Sequence, residues 1–251
     1  MSLLKDRLDA RQKLRVSSLF QRTAIPVGVD IGRRRVRVAA FVMGEAGPTV
    51  SRLLDSVLPA GMITSEGIID PEGVAEEVAR LIESAGIRRG RAAVAVAGGD
   101  VFLRRVPMPR TSRQEALRQV QANPSLRPSY LDIESTKIEI DILDKGEGNR
   151  PMQILMAVAK RDAIRARQRV VLDAGLALGA VDVDSCALFN LFRHCRPELS
   201  GQRCTLVHIG DEWSLVTVID ERGLEVARRA DIGVATLVAA MIEAGFQEGK
   251  A

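Results

Sequence analysis

Hydrophobic and polar residues alternate along residues 27–41 (VGVDIGRRRVRVAAF), and the alternation is interrupted once, at a short polar turn. Apolar side chains recur at every second position up to Ile31 and again from Val36. A period of two is typical of a strand with one buried face, and two such runs predict a β-hairpin. The turn carries a carboxylate, a glycine and three consecutive arginines. The hairpin therefore has two interpretations, a phosphate loop or the edge of a sheet.

Local signals along the rest of the chain predict a mixed α/β fold. Asp70 as N-cap and Pro71 at the first helical position predict a helix start, and Ser112 with Glu115 forms a capping box that opens a second helix. A third helix is predicted from about residue 160 to 178. Its four arginines are expected on the solvated face: Arg161, Arg165, Arg167 and Arg169. The segments RAAVAVAGG, VFLRRVPMP, STKIEIDIL and MQILMAVA predict strands, which gives an α/β protein with a small inserted module.

The hairpin pattern occurs a second time, at residues 205–219 (TLVHIGDEWSLVTVI). This stretch aligns without gaps on residues 27–41, so Gly32 falls on Gly210 and Asp30 falls on His208. Both copies have an Ile-Gly tip, an alternating return strand and a following turn with glycine, which favours internal duplication over chance. Two glycine tips facing each other would clamp an anion through backbone N–H groups, and a nearby carboxylate would position hydrated Mg²⁺.

Composition narrows the class of protein. The 251 residues are 46% hydrophobic and 27% charged, as in a soluble globular protein of one or two domains. No apolar run reaches the roughly 20 residues that a bilayer requires, and we find no signal peptide, so we expect a cytoplasmic protein. Three cysteines nine residues apart, Cys186, Cys195 and Cys204, predict buried or inert thiols. A net charge of +4 with 3% aromatic residues argues against a nucleic-acid partner.

Two basic segments each have two interpretations. Residues 1–23 carry six Lys and Arg side chains and a weak leucine stripe, which suits either a solvated terminus or a membrane-binding or partner-binding helix. The segment RRVPMP would either line a peptide groove or protect an edge strand, and we favour the edge strand.

Several segments together resemble the PilM family of type IV pilus assembly and, more distantly, FtsA and the cytoplasmic part of GspL. They are VGVDIGRRRVRVAAF, LPAGMITSEGIIDPEGVAEEVARLIESAGI, VAVAGGDVFLRRVPMP, AVAKRDAIRARQRVVLDAGLALGAVDVDSCALFNLF and CTLVHIGDEWSLVTVIDERGLEVARRADIG. The resemblance implies an actin-like (ribonuclease H-like) ATPase fold with a small inserted α/β subdomain, C-terminally incomplete. Its expected parts are a basic segment (1–23), a first subdomain (24–100 and 181–203), the insert (101–180) and the start of a second domain (204–251).

The resemblance also implies candidate site residues for ATP with Mg²⁺. The cofactor-binding candidates are Asp30, Gly32, Arg33, Arg34, Gly210, Asp211 and Gly233. Asp30 is the metal candidate, and no catalytic residue is assigned. Two departures weaken this site, because arginines replace the small hydroxyl residues after the family's DIG and His208 replaces an aspartate. The family continues beyond the point where this chain stops, so we expect a fragment or a shortened, degenerate homologue. We therefore also expect little or no ATPase activity. A protein without cofactor is the alternative to one that binds ATP with Mg²⁺.

A partner follows from the same resemblance. In this family a short N-terminal cytoplasmic segment of the inner-membrane protein PilN docks in a groove beside the inserted subdomain. This chain is therefore expected to be a scaffold of the inner-membrane pilus platform, held at the inner face of the membrane through its partners. The alternative is an ATP-binding switch or ATPase in pilus, secretion or cell-division machinery.

Overall fold

A computed structural model describes residues 25–45, 47–87, 90–199 and 201–246, which fall into two compact units. The first unit contains the described residues up to Val96 together with Asp162–Asp182. The second contains Ala97–Arg161 and the described residues from Val183 onward. The expected basic segment 1–23 lies outside the described residues.

The two units are built from thirteen strands and five α-helices among the described residues. The strands are β1 (Ile25–Ile31), β2 (Arg35–Gly44), β3 (Gly47–Val57), β4 (Ile63–Thr64), β5 (Gly67–Ile68), β6 (Gly90–Val96), β7 (Val101–Met108), β8 (Thr136–Asp144), β9 (Met152–Lys160), β10 (Ala177–Val183), β11 (Cys204–Ile209), β12 (Ser214–Asp220) and β13 (Gly223–Ala230). The helices are α1 (Pro71–Ser84), α2 (Arg113–Ala122), α3 (Arg161–Asp173), α4 (Asp184–Cys195) and α5 (Val234–Glu243). Short 3₁₀ turns cover Gly98–Asp100, Pro124–Leu126 and Pro197–Leu199.

The first unit is a five-stranded sheet in the order β10-β6-β1-β2-β3, with β1 antiparallel to β2 and parallel to β6. Alternate residues of β1 and β2, such as Val29 and Val38, form one core with apolar residues of α1 and α3. The predicted start of α1 is confirmed, because the Asp70 side chain accepts a hydrogen bond from the Gly73 N–H at 2.9 Å.

The helix α3 differs from its prediction in three ways. It ends at Asp173, because the chain turns at Gly175 (φ +82°) and then enters β10. It packs through Val170 and Val171 into the core of the first unit, whereas the expected insert 101–180 would have included it. Arg167 is not on the solvated face: it is only 7% exposed and its Nε donates to the Ala95 carbonyl at 2.8 Å. The rest of the expected domain scheme stays a prediction.

The second unit is a six-stranded sheet in the order β11-β12-β13-β7-β9-β8. One core lies among β7, β8, β9 and α2, and a smaller one joins Leu103, Phe189, Ile219 and Leu224. Ser112 caps α2 as predicted, accepting from the Glu115 N–H at 3.2 Å. β7 pairs with β9 along its whole length but with β13 only at Arg104, so the edge-strand interpretation of RRVPMP is wrong for its first residue and fits the rest.

The three cysteines are free thiols in different surroundings. Cys186 and Cys204 are half-buried against the smaller core of the second unit, whereas Cys195 is exposed at the end of α4. Of the predicted buried or inert thiols, two are therefore half-buried, and the inertness of all three stays a prediction.

Candidate functional site

The tip of the first hairpin is a two-residue turn, Arg33–Arg34, closed by a hydrogen bond from the Gly32 N–H to the Arg35 carbonyl at 2.9 Å. A Cβ atom at Gly32 would lie 3.1 Å from that carbonyl oxygen, so the tightness of the turn accounts for the glycine. Next to the tip, Arg37 Nη1 donates to Asp30 Oδ2 at 2.9 Å across the strands. Both side chains of this ion pair are exposed.

The tip of the second hairpin has the same construction around Asp211 and Glu212. The Gly210 N–H donates to the Trp213 carbonyl at 3.0 Å, and a Cβ atom at Gly210 would lie only 2.7 Å from that oxygen. His208, which the alignment places on Asp30, is exposed on β11 opposite Leu215. Asp211 is also exposed.

The two hairpins pair their strands in the same register. Val29 is opposite Val38, and the aligned Val207 is opposite Val216; the correspondence continues along both strand pairs. Pairing with the third strand also shifts by one residue at the aligned places, between Ala40 and Phe41 in the first copy and between Val218 and Ile219 in the second. This shared β-bulge supports the predicted duplication more strongly than the sequence could, because bulges are specific local features.

The turns that follow the return strands correspond as well. Gly47 pairs with Gly44 and has φ +116°, and Gly223 pairs with Asp220 and has φ +109°. Both angles lie in the left-handed region that favours glycine. Each unit therefore contains the same three-stranded motif, with glycine at both of its turns.

Gly233 lies against the second tip, at the start of α5. A Cβ atom at Gly233 would approach the backbone of Glu212 to 2.5 Å, so only glycine fits there. The Val234 N–H donates to the Gly210 carbonyl, and the Ala235 N–H donates to the Asp211 carbonyl, both at 2.9 Å. The structure thus brings together Gly210, Asp211 and Gly233 as predicted, but the first N–H groups of α5 are used to hold the turn.

The candidate residues are divided between the units. Asp30, Gly32, Arg33 and Arg34 lie in the first unit, and the three remaining candidates lie in the second. Among the described residues, no group of three or more His, Cys, Asp or Glu side chains could hold a metal ion. Asp30 is paired with Arg37, and the N–H groups of Gly32 and Gly210 donate within their own turns. These contacts occupy the groups that would bind Mg²⁺-ATP, so the site stays a prediction and we derive no step through it.

Sequence reasoning missed the support beneath the second tip. The Arg229 guanidinium lies 5.5 Å from the centre of the Trp213 ring, and its Nε donates to Asp231 at 2.7 Å. A side chain at Gly98 (φ +67°) would contact both Trp213 and Arg229. Gly98 lies far from Trp213 and Arg229 in the chain. The local sequence offered only the glycine pair of AGGD as a sign of this close contact.

A half-buried ion pair was also missed, at the turn between β12 and β13. Arg105 donates to both carboxylate oxygens of Asp220 at 2.7 Å and to the Gly223 carbonyl at 2.9 Å. This hydrogen bonding lowers the pKa of Asp220 below its usual range, and burial opposes it only in part. The ion pair holds the turn between β12 and β13 against β7. No local pattern in the sequence could connect Arg105 with Asp220, because they lie far apart in the chain.

A groove of about 470 Å³, called here the proline groove, lies at the end of β7 and the turn between β8 and β9. Its lining consists of Pro107, Met108, Pro109 and Arg110 with residues 148–151. RRVPMP therefore contributes to a groove, which was the less favoured of its two interpretations.

The repeated three-stranded motif within mixed α/β units is that of the actin-like ATPase fold, and solved structures of this fold are similar to the chain. A family profile described as type IV pilus assembly protein PilM matches residues 28–244. The chain therefore belongs to the PilM family, as the resemblance implied. No helix in the described ranges is long and apolar enough to cross a membrane.

Three solved structures show the extent of the likeness. A chain of the PilM–PilN type IV pilus biogenesis complex is 17% identical with a TM-score of 0.77, covering 89% of this chain and 66% of that one. EutJ, the ethanolamine utilization protein of Carboxydothermus hydrogenoformans, is 17% identical with a TM-score of 0.51, covering 94% and 65%. The cytoplasmic domain of EpsL, from the type II secretion system of Vibrio cholerae, is 13% identical with a TM-score of 0.53, covering 90% and 79%. At these identities the likeness shows the fold alone.

Proposed function

We propose that this chain is a scaffold of type IV pilus assembly that docks the N-terminal cytoplasmic segment of a PilN-type inner-membrane protein. Membership of the PilM family, over residues 28–244, carries the proposal. The structural likeness to a chain of a PilM–PilN complex supports it. In this role the chain works in the cytoplasm at the inner face of the inner membrane, bound there through its partners, and takes no nucleic acid.

The proline groove is our candidate for the docking surface. It combines apolar atoms of Pro107 and Met108 with the charged side chains of Arg110 and Arg150. Such a lining suits a short extended peptide, whose apolar side chains and backbone carbonyls need partners of both kinds. The groove lies on the β7–β8–β9 part of the second unit, which is the core of the expected insert.

The test is binding of a labelled N-terminal PilN-type peptide to the full chain, measured by fluorescence anisotropy. Asn149→Trp would fill the groove from an exposed position, and we expect at least about tenfold weaker binding. Glu147→Trp is the matched control, because Glu147 is exposed in the same turn but does not line the groove. Absence of binding to folded wild-type protein would contradict the docking role. Equal binding by both variants would leave docking intact and reject this groove.

A nucleotide-binding switch is the second candidate, and the matched register of the two hairpins favours it. Against it stand the closed turns and the Arg37–Asp30 pair described above. Titration of the chain with Mg²⁺-ATP distinguishes the two functions. We expect no saturable binding; tight binding that Asp30→Ala abolishes would establish the switch and overturn the purely structural role of the tips.

A further inference from the structure

A strongly basic groove of about 460 Å³ lies in the second unit, beside the junction of β7 and β13. Five arginines line it: Arg104, Arg105, Arg203, Arg222 and Arg228. We call it the arginine groove. It uses neither the hairpin tips nor the proline groove, so it is independent of the proposed function.

Both acidic residues of the arginine groove contact arginines that also line it. Asp220 receives two hydrogen bonds from Arg105 at 2.7 Å. Glu225 Oε2 lies 3.0 Å from Arg203 Nη2, although this buried oxygen accepts no hydrogen bond from the described residues. Five arginines therefore line the groove against two acids, which leaves an excess of three positive charges.

Those three arginines have few competing contacts. The Arg104 side chain has no ion-pair or hydrogen-bond partner in the part of the chain that the structure describes. Arg222 reaches the nearest carboxylate, Glu221, only at 3.7 Å. Arg228 donates to the Ala227 carbonyl and lies over the Phe102 ring, contacts that leave its positive charge in place. Three guanidinium groups are thus available to an anion.

Arg105 contributes a buried guanidinium to the lining of the groove. Its side chain is only 9% exposed, and its Nε is a buried donor with no hydrogen-bond partner among the described residues. Buried N–H groups in folded proteins almost always have an acceptor. Asp220 keeps the Arg105 guanidinium in place in the lining of the groove.

The residues that line the arginine groove indicate which class of ligand it binds. Val226 is the single aliphatic side chain that lines the groove, so apolar side chains of a peptide would gain little there. Planar guanidinium groups match the geometry of phosphate oxygens and bind them through paired hydrogen bonds. The groove, of about 460 Å³, has room for a small phosphorylated group. We propose that the arginine groove binds a phosphate-bearing ligand, either a free phosphorylated small molecule or the phosphate of a lipid headgroup.

The experiment is calorimetric titration of the full chain with inorganic pyrophosphate at low ionic strength. We expect Arg104→Ala and Arg222→Ala each to weaken binding about tenfold, because each removes a charge-assisted hydrogen bond. Arg118→Ala is the matched control: it removes the same charge from an exposed position on α2 of the same unit and should bind like wild type. No binding, or equal loss in the control, would overturn the proposal.

Further arms identify the source of the phosphate and the site. Sedimentation with phosphatidylglycerol vesicles, but not phosphatidylcholine vesicles, that depends on Arg104 would support the lipid source. Binding of pyrophosphate alone would support the free ligand. Loss of pyrophosphate binding in Arg33→Ala with Arg34→Ala, and not in the groove variants, would place the anion at the first hairpin and overturn the proposal. Tighter, Arg104-dependent binding of polyglutamate would overturn the assignment to phosphate.

Discussion

The two hairpins have the same backbone pairing but bury opposite faces of their sheets. In the first, Val29 and Val38 are on the face covered by α1 and α3. In the second, the aligned residues are Val207 and Val216, yet the most deeply buried residues are on the other face, where Ile219 packs against Phe189 of α4. Val29 is 3% exposed and Val207 is 58% exposed. Register is therefore set by the hairpin itself, whereas burial is set by the helix that packs on it.

The largest effect is expected from a charge in the covered face of the first hairpin. Val38 is 0% exposed, so Val38→Asp should lower the free energy of unfolding by more than about 4 kcal/mol. The aligned variant Val216→Asp lies on a half-buried face and should cost about 1 kcal/mol. Urea unfolding of both variants checks the difference. Equal losses would mean that the two faces are covered alike.

The next largest effect concerns a residue that only the second hairpin uses. Asp220→Ala should lower the free energy of unfolding by about 3 kcal/mol, because it leaves Arg105 buried without its carboxylate. The aligned residue of the first hairpin is Val42, which is exposed, and Val42→Ala should change stability by less than about 0.5 kcal/mol. The measurement is again the urea midpoint. A small loss in Asp220→Ala would show that water replaces the carboxylate.

A smaller difference is expected between the two tip glycines. Gly210→Ala should cost about 2 kcal/mol and Gly32→Ala about 1 kcal/mol, because an added Cβ atom approaches a carbonyl oxygen to 2.7 Å in the first case and 3.1 Å in the second. Thermal unfolding of both variants measures the order. The reverse order would mean that the second tip relaxes more easily than its packing against Gly233 indicates.

The smallest effect is in the pH dependence of stability. The Arg105 hydrogen bond lowers the pKa of Asp220 in the folded protein. The ion pair therefore makes its full contribution to folding stability at pH values above the unfolded-state pKa of about 4. Its contribution is lost as the pH falls through the lower, folded-state pKa. Wild type should therefore lose more stability than Asp220→Ala over this acidic range. Parallel losses in urea unfolding at a series of pH values would contradict the shift.

The sequence predicted those features whose causes are local. The alternation of apolar and polar residues predicted the hairpins, and the capping side chains of Asp70 and Ser112 predicted helix starts. It could not predict that Arg167 is buried, because its acceptor, Ala95, belongs to a distant strand. It could not predict the pairing of Arg104 with Val226 either, since β13 lies far along the chain.

The candidate site was predicted less well than the fold, for a related reason. The sequence grouped Gly210, Asp211 and Gly233 correctly, because they lie near one another in the chain. It could not predict that Arg37 forms an ion pair with Asp30, or that the first N–H groups of α5 donate to carbonyls of the second turn. The arginine groove gave only the weak signal of adjacent Arg104 and Arg105, since its other arginines come from remote segments.

The shared bulge divides each three-stranded motif into a constant part and a variable part. Between the tip and the bulge, β1 with β2 and β11 with β12 pair identically. Beyond it, the first motif continues to the Gly44–Gly47 pair, whereas the second ends sooner, at Asp220–Gly223. An unpaired extra residue lets the outer ribbon lengthen or shorten without altering the pairing at the tip. Insertions and deletions in the outer turns can therefore accumulate while the inner hairpin keeps its geometry, so each copy could acquire its own outer surface after duplication.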